Sequence, residues 1–488
     1  SSNEWPKDIT CKTSRSVRQK SPHKLLGGMF FSSLVPATFR GVCSLATSLS
    51  GSAPIDVAIE EGSLKASLLQ IARPIDGSGE HRAAKKPNKL GMRRLVVIAC
   101  TVTAIVCYLS HAHGAQKIMD LRSPPPLYHI LAGNPYDAGL QHGRIARVRI
   151  HEWFAVPEMK HRFKWASQAG SATFAQLKQD NKNEFPAYVE EMQGIADGAE
   201  VTMDQIWVAN LINEIDSLIS QETVTAGLPW QKQQHCSDEY AVSRSGFESG
   251  FAHGHNEDWS QAAAPVIYFL AVSPSPGAEA IVSRCAGLVY PGTLVGWAPS
   301  WNSHGTFSTQ NSLMPMITRP GGLGCVFVQR RAICDTSSMS EALAALKQPG
   351  WSSGASLNLL HLGEKRMANV EVWMDAHSVL EVTPAMGNYS HFNQYKHLRT
   401  ASDARIDYAR DFIFDPRQAR SDELPPVRNT GDIRMRLGDP LIFQKKSTLI
   451  TTILNGSTGM LDVWCCGVPP SNSPPHYSWS LASFFYVK

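Results

Sequence analysis

No Cys-x-x-Cys pair occurs in this 488-residue chain, which argues against zinc-ribbon and thioredoxin-like chemistry. Ten cysteines in a chain this long do not make a disulfide scaffold. No phosphate-binding glycine loop and no internal repeat are present. The globular body also lacks excess positive charge. The formal charge is +4, yet residues 1–94 hold 15 Lys and Arg against 7 Asp and Glu, leaving 31 against 35 for the rest. A mildly acidic body gives no argument for a nucleic-acid partner.

The first 91 residues are rich in Ser, Gly and Lys/Arg without any sustained period, and read as a disordered extension. Met92-Arg93-Arg94 then leads into the apolar run Leu95–Leu109 and the small, polar Ser110–Ala115. A basic flank, a short apolar core and small residues form a signal-peptide pattern over 92–115. A signal anchor touching the membrane through 95–109, or a buried helix, are the other readings of a fifteen-residue run. The first two imply a secretory or extracellular protein, and a cytoplasmic one follows if the segment is absent from the mature chain. The sequons Asn388-Tyr389-Ser390 and Asn455-Gly456-Ser457 fit a secretory route.

Pro124-Pro125-Pro126 opens the folded domain, 116–488. Apolar positions three and four apart predict helices over 136–153, 171–182, 184–198 and 203–218. Beyond Ser237 the pattern predicts strands at 266–272, 280–283, 325–328, 357–362, 370–374, 379–382, 448–454 and 461–465, with a Ser338-capped helix over 339–347. Cys465 and Cys466 read as a strand pair pointing to opposite faces. Helices first, then strands with helices between, predict an α+β fold layered around one core.

Within this frame Cys236 carries the most chemistry. It opens the segment Cys236-Ser237-Asp238-Glu239-Tyr240-Ala241-Val242. Gly246 and Gly250 mark a turn, and a second strand runs Gly254-His255-Asn256-Glu257-Asp258-Trp259. A thiol and a carboxylate on paired strands form a hydrolytic centre once a base is supplied. If the chain is cut between His235 and Cys236, the new α-amine, with a pKa near 8, is that base. The competing readings are a buried structural cysteine, and a metal site on His253, His255 and Glu257, which share one strand face. The metal reading lacks a second ligand cluster, so no metal and no cofactor are expected. Gly350-Trp351-Ser352-Ser353-Gly354 satisfies the Gly-x-Ser-x-Gly pattern, but a helix precedes it and a strand follows, the reverse of a nucleophile elbow.

Several ordered segments resemble the cysteine-dependent N-terminal-nucleophile acyltransferases and amidohydrolases. They are Gly133–Gly143, with its Gly139-Leu140-Gln141-His142-Gly143, Phe185-Pro186-Ala187-Tyr188 with Glu190–Ala199, and Ala209–Glu214. Trp301–Gly305 with Gln310–Leu313 follow later. Within that family, Cys236-Ser237-Asp238, Gly254–Trp259 and Tyr290-Pro291-Gly292-Thr293-Leu294-x-Gly296 are most similar to arthropod β-alanyl-amine hydrolases. His235 stands where the family usually has Gly.

The resemblance implies a four-layer αββα sandwich and self-cleavage into 116–235 and 236–488, subunits that stay together. It also implies hydrolysis of β-alanyl amides of biogenic amines by Cys236. Asp258 would orient the new amine or a neighbouring basic group, Asn393, in Ser390-His391-Phe392-Asn393-Gln394-Tyr395, would donate to the oxyanion, and an arginine near the last strands would complete the site. Arg434 and Arg436 both fit that place, on one face of a strand by alternation over Asp432–Arg436, with Arg434 favoured by its register after Ile433. A substrate ammonium calls for a carboxylate, from Asp238, Glu239 or Glu257. The alternatives are an acyl-CoA-dependent N-acyltransferase of the same fold and a catalytically silent, membrane-tethered binding protein.

Overall fold

The computed structural model describes residues 123–225, 236–280, 282–313, 315, 317–399 and 416–486. The expectations for the extension at 1–91, for the 92–115 segment and for His235 lie outside the described residues. A short strand, β1 (Leu127–Ala132), is followed by six helices: α1 (Pro135–Phe154), α2 (Pro157–Ser167), α3 (Ser171–Glu184), α4 (Pro186–Ala199), α5 (Met203–Asn210) and α6 (Ile212–Thr225). Proline opens α1, α2 and α4, where its missing N–H costs nothing. Asn134 caps α1 by accepting from the Asp137 N–H, and Thr202 and Gln205 form a capping box on α5. Helix α2 is not visible in the sequence periodicity. The single helix expected over 203–218 is two helices, separated at Leu211.

The glycine motif at the start of the domain builds a helix crossing. A Cβ on Gly139 would lie 1.8 Å from the Glu191 carbonyl oxygen, and one on Gly143 would lie 2.4 Å from that of Ile195. From the other side, Cβ atoms on Gly194 and Gly198 would meet Tyr136 O at 2.2 Å and Leu140 O at 2.3 Å. Helices α1 and α4 therefore touch backbone to backbone, which only glycine permits. His142, in the same motif, is buried and bonds the Tyr268 hydroxyl. Two of the signatures are thus packing devices.

The rest of the chain forms two sheets. In order across the first are β1, β4 (Tyr268–Pro274), β5 (Cys285–Val289), β6 (Ser300–Asn302), β7 (Thr306–Leu313), β8 (Gly354–His361), β9 (Arg366–Trp373) and β10 (Ala376–Glu381). The second runs β11 (Asn388–His391), β2 (Ser237–Val242), β3 (Phe251–Asp258), β12 (Thr448–Asn455), β13 (Met460–Cys465) and β14 (Tyr477–Ser480). Only β1–β4 is parallel among the described strands. The sheets face each other: Tyr240 on β2 donates to Asn358 on β8 at 2.9 Å, and the His253 and Phe307 rings meet edge to face. Helices α7 (Cys325–Cys334) and α8 (Met339–Leu346) cover the outer face of the first sheet, where α8 has its Ser338 cap. Helix α10 (Thr430–Leu437) covers β2, β3 and β12 of the second. The order is α, β, β, α, as the family resemblance implied.

Four local expectations are corrected. Cys325–Val328 opens helix α7, buried on nearly every side, so its apolar run carries no period to tell helix from strand. The strand expected at 280–283 begins at Cys285 instead. Asp432–Arg436 lies in α10, not in a strand. Cys466 leaves the strand with φ +65°, which brings its sulfur to 2.9 Å from that of Cys465 rather than to the opposite face. Ser352 donates to Arg319 O ahead of strand β8, so the Gly350–Gly354 segment is no nucleophile elbow. A disulfide joins Cys285 to Cys334, tying β5 to α7. Among the described residues no helix is long and apolar enough to cross a membrane.

Candidate active site

Strands β2 and β3 form a hairpin whose turn is made by Gly246 and Gly250, at φ +108° and +133°. The register pairs Ser237 with Asn256 and Asp238 with His255. Cys236, just before β2, is thereby carried to the Glu257–Asp258 end of β3. It has φ +30°, a conformation that is strained for a residue with a side chain, and it is 4% exposed.

One guanidinium gathers the site. Arg417, at the start of α9 (Pro416–Glu423), donates through Nη1 to Cys236 O and to Asp258 Oδ2, both at 3.3 Å. Its Nη2 donates to Asn393 Oδ1 at 2.7 Å. The Asn393 amide nitrogen donates in turn to Ser312 O at 2.9 Å. Asp258 also accepts from Thr448 at the head of β12. Burial pushes the Asp258 carboxyl up to about 7, against the pull of Arg417 and Thr448. The Cys236 thiol is pushed up to about 12, by burial first and then by the Glu257 charge, with His255 working the other way.

A second polar cluster adjoins the thiol. Asp238 is fully buried and accepts from His253 Nε2 at 2.9 Å, His255 Nδ1 at 2.9 Å, Asn311 Nδ2 at 2.7 Å and the Thr309 hydroxyl. Despite burial these partners hold its carboxyl well below the usual range. His255 Nε2 donates to Glu257 Oε2 at 2.9 Å, and Tyr290 donates to Glu257 Oε1 at 2.7 Å. Burial opposes charge on His255, but Asp238, Cys236 and Glu257 together raise its pKa well above the ordinary histidine value. Asn210 anchors the Tyr290 loop by donating to Gly292 O and accepting from the Leu294 N–H.

Cys236, Asp258 and Asn393 therefore converge, and Glu257 borders them. Arg434 does not: it donates to Pro470 O and Ser473 O on the outer side of α10. Arg436 pairs with buried Glu239, which also accepts from Ser421 at 2.6 Å. Strand alternation offers both arginines, but the helix sends both elsewhere, and the arginine of the site is Arg417. Asp238 and Glu239 are fully buried with their oxygens bonded inside the protein, whereas Glu257, bonded by His255 and Tyr290, keeps slight exposure and lies beside the thiol. Tyr290 and Asn311 lie inside motifs already singled out, whereas Arg417 follows a long stretch without any pattern.

Among the described residues, two sets of donor atoms lie within 4.8 Å of one another: Cys236, His255 and Glu257, and Cys465, Cys466 and His476. In the first set His255 Nε2 and Glu257 Oε2 are hydrogen-bonded to each other at 2.9 Å. His253, of the competing metal reading, bonds Asp238 through Nε2. A separate cleft of about 630 Å³ is lined by Tyr188, Glu191, Arg284, Arg330 and Asp335, and includes no residue of this site.

A cysteine at the head of an inner strand, in an αββα sandwich, is the arrangement that the resemblance to the N-terminal-nucleophile enzymes implied. Residues 247–411 match the model of the AAT family, acyl-coenzyme A:6-aminopenicillanic acid acyl-transferase. The chain is similar to the β-alanyl-dopamine/carcinine hydrolase of Drosophila melanogaster, 24% identical over 395 residues that cover 74% of this chain and 98% of that protein. Among solved structures, the Caenorhabditis elegans ortholog of N-acylethanolamine-hydrolyzing acid amidase is 13% identical, with a TM-score of 0.33 over 50% of this chain and 99% of its own. A mutant of the conjugated bile acid hydrolase from Clostridium perfringens is 11% identical, with a TM-score of 0.28 over 47% of this chain and 89% of its own. The family resemblance drawn from the motifs holds.

Proposed function

We propose that this chain is an amide hydrolase that cuts itself between His235 and Cys236 and then uses Cys236 to hydrolyse β-alanyl amides of biogenic amines. The observation that carries this reading is the convergence on Arg417, which bonds Cys236 O, Asp258 and Asn393 at once. The Drosophila relative, named for β-alanyl-dopamine and carcinine, supports the substrate class. In the cleaved enzyme the α-amine takes the thiol proton and the thiolate attacks the amide carbon. The remaining N–H of Asn393 serves the tetrahedral oxyanion, and ionised Asp258 orients the α-ammonium. The α-ammonium passes its proton to the departing amine, and water then hydrolyses the Cys236 thioester to release β-alanine. Of the three candidate carboxylates, Glu257 is the one beside the thiol, so it takes the substrate ammonium.

The matched family model is named for an acyl-transferase, which favours a second reading: transfer of the acyl group to an amine instead of water. We further infer a secretory route, supported by the Cys285–Cys334 disulfide.

The test is intact-mass analysis of purified wild-type protein and Cys236→Ala, with turnover of β-alanyl-dopamine. Wild type is expected to give a fragment beginning Cys-Ser-Asp and to release β-alanine. Cys236→Ala is expected to stay whole and inactive. Cleavage at another bond, or an active Cys236→Ala, would sink the reading. Acyl transfer from acyl-CoA to an added amine, faster than hydrolysis, would establish the second one.

A further inference from the structure

The uncleaved chain poses a chemical problem that the mature enzyme does not. Before the cut, the nitrogen of Cys236 belongs to a peptide bond, and its lone pair is delocalised into the carbonyl. It cannot take a proton. The thiol is buried, so it does not ionise by itself. Another group must form the first thiolate.

Asp258 is engaged by Arg417 and Thr448. Glu257, each oxygen of which accepts one bond and keeps a lone pair, and His255 have side-chain donor atoms within 4.8 Å of the Cys236 sulfur and of each other. His255 has both ring nitrogens on carboxylates, Nδ1 on Asp238 and Nε2 on Glu257. Both nitrogens therefore carry hydrogen, and the ring is an imidazolium. A histidine in that state cannot accept a proton, but it can neutralise an anion beside it. Asp238, fixed by four donors, holds the ring in place. Glu257 holds the proton-accepting oxygens, and Tyr290 steadies one of them.

Resting on the nucleophile assignment above, we propose that Glu257 and His255 form the activating pair of the uncleaved chain: Glu257 takes the thiol proton and the His255 imidazolium remains as counter-ion to the thiolate. The S–H bond breaks and an O–H bond forms on Glu257, so one negative charge moves from carboxylate to sulfur and the total is unchanged. The thiolate adds to the His235 carbonyl carbon. As the C–N bond breaks, Glu257 returns its proton to the departing nitrogen, leaving a thioester and a free amine. Water hydrolyses the thioester to the His235 carboxylate and the Cys236 thiol. The released amine then takes over as base, which frees Glu257 to face substrate.

The experiment follows cleavage of the full chain by intact mass in wild type, Glu257→Gln, Glu257→Asp and His255→Gln, with thermal unfolding to check folding. A proton acceptor and a structural hydrogen-bond partner predict opposite orders. Gln keeps the shape and the bond to Tyr290 but cannot take a proton, whereas Asp is shorter yet basic. We expect Glu257→Gln to cleave about 100-fold more slowly than wild type, the low end for loss of a general base, with Glu257→Asp clearly faster than Gln. His255→Gln should be slowed comparably. If His255→Gln does not fold, the Gln and Asp pair decides alone. Equal rates for Glu257→Gln and Glu257→Asp, or a faster Gln variant, would overturn the pair while leaving Cys236 as the nucleophile. A wild-type chain that never cleaves overturns the nucleophile assignment itself, and this proposal with it.

Discussion

Among the described residues Arg417 donates to three acceptors drawn from three parts of the chain, and two of them, Asp258 and Asn393, are residues to which catalysis is assigned. Its charge also acts on Asp258, whose carboxyl burial raises to about 7. If ionised Asp258 orients the new α-ammonium, kcat/KM should rise as pH passes through about 7. Removing the guanidinium in Arg417→Gln takes away the contribution that lowers the Asp258 pKa, so the rise should move to higher pH and activity at pH 7 should fall. Arg417→Lys keeps the charge but loses the fork, and should retain the position of the rise at reduced turnover. A profile that stays in place in Arg417→Gln would separate Asp258 ionisation from catalysis. Cys236, Asp258 and Asn393 are legible in the sequence because each sits in a compact motif. Arg417 is not, because a single arginine after unpatterned chain has no spacing to betray it. Arg434 misleads because Ile433 and its arginine neighbours fit strand alternation, while Asn429 caps a helix there through the Asp432 N–H.

At the scale of elements, the glycines of α1 and α4 are the most legible feature with the least legible meaning. Gly139-x-x-His142-Gly143 carries the family resemblance, and the structure uses its glycines for contact between two helix backbones. Gly139→Ala should therefore destabilise the protein at or beyond the upper end of the ~1–3 kcal/mol expected for overpacking, because the clash is with backbone and cannot be relieved by a rotamer. Gly133→Ala, with nothing within 4 Å of its Cβ, should change stability by less than about 0.5 kcal/mol. Denaturant midpoints would measure both, and turnover per folded molecule should be retained in Gly139→Ala. Helix α2 and the break at Leu211 escape the sequence pattern for a physical reason. Two neighbouring amphipathic helices give one continuous apolar period, and α2 carries only Met159, Arg162, Trp165 and Ala166 inward, with a buried arginine in the stripe. That arginine is neutralised by Asp216 on α6, at 2.7 and 2.8 Å.

For the whole molecule, the order of helices then strands is enough to give the α+β class, since each strand-rich stretch has to bury a face against another layer. What that order cannot give is the polar seam between the sheets. Asp238, His255, His253, Asn311 and Asn358 are buried where apolar side chains would ordinarily meet. Strands β2, β3, β7 and β8 are buried on both faces, so their alternation of polar and apolar residues does not mark inside and outside. The disulfide is equally silent, because Cys285 and Cys334 are 49 residues apart and no spacing rule pairs them. Closing a loop of that length should remove unfolded-state entropy equivalent to about 4 kcal/mol. The double variant Cys285→Ser, Cys334→Ser should therefore unfold at lower denaturant by roughly 2–5 kcal/mol. The bond links β5 to α7 on the outer side of the first sheet, and neither cysteine bonds any group around Cys236. Mild reduction of the folded protein should accordingly lower its stability while sparing hydrolysis, whereas alkylation of Cys236 should abolish hydrolysis with stability little changed. Parallel measurement of denaturant midpoint and turnover, before and after reductant, checks this. Loss of turnover in step with loss of the bond would place the disulfide in the catalytic machinery instead of the frame.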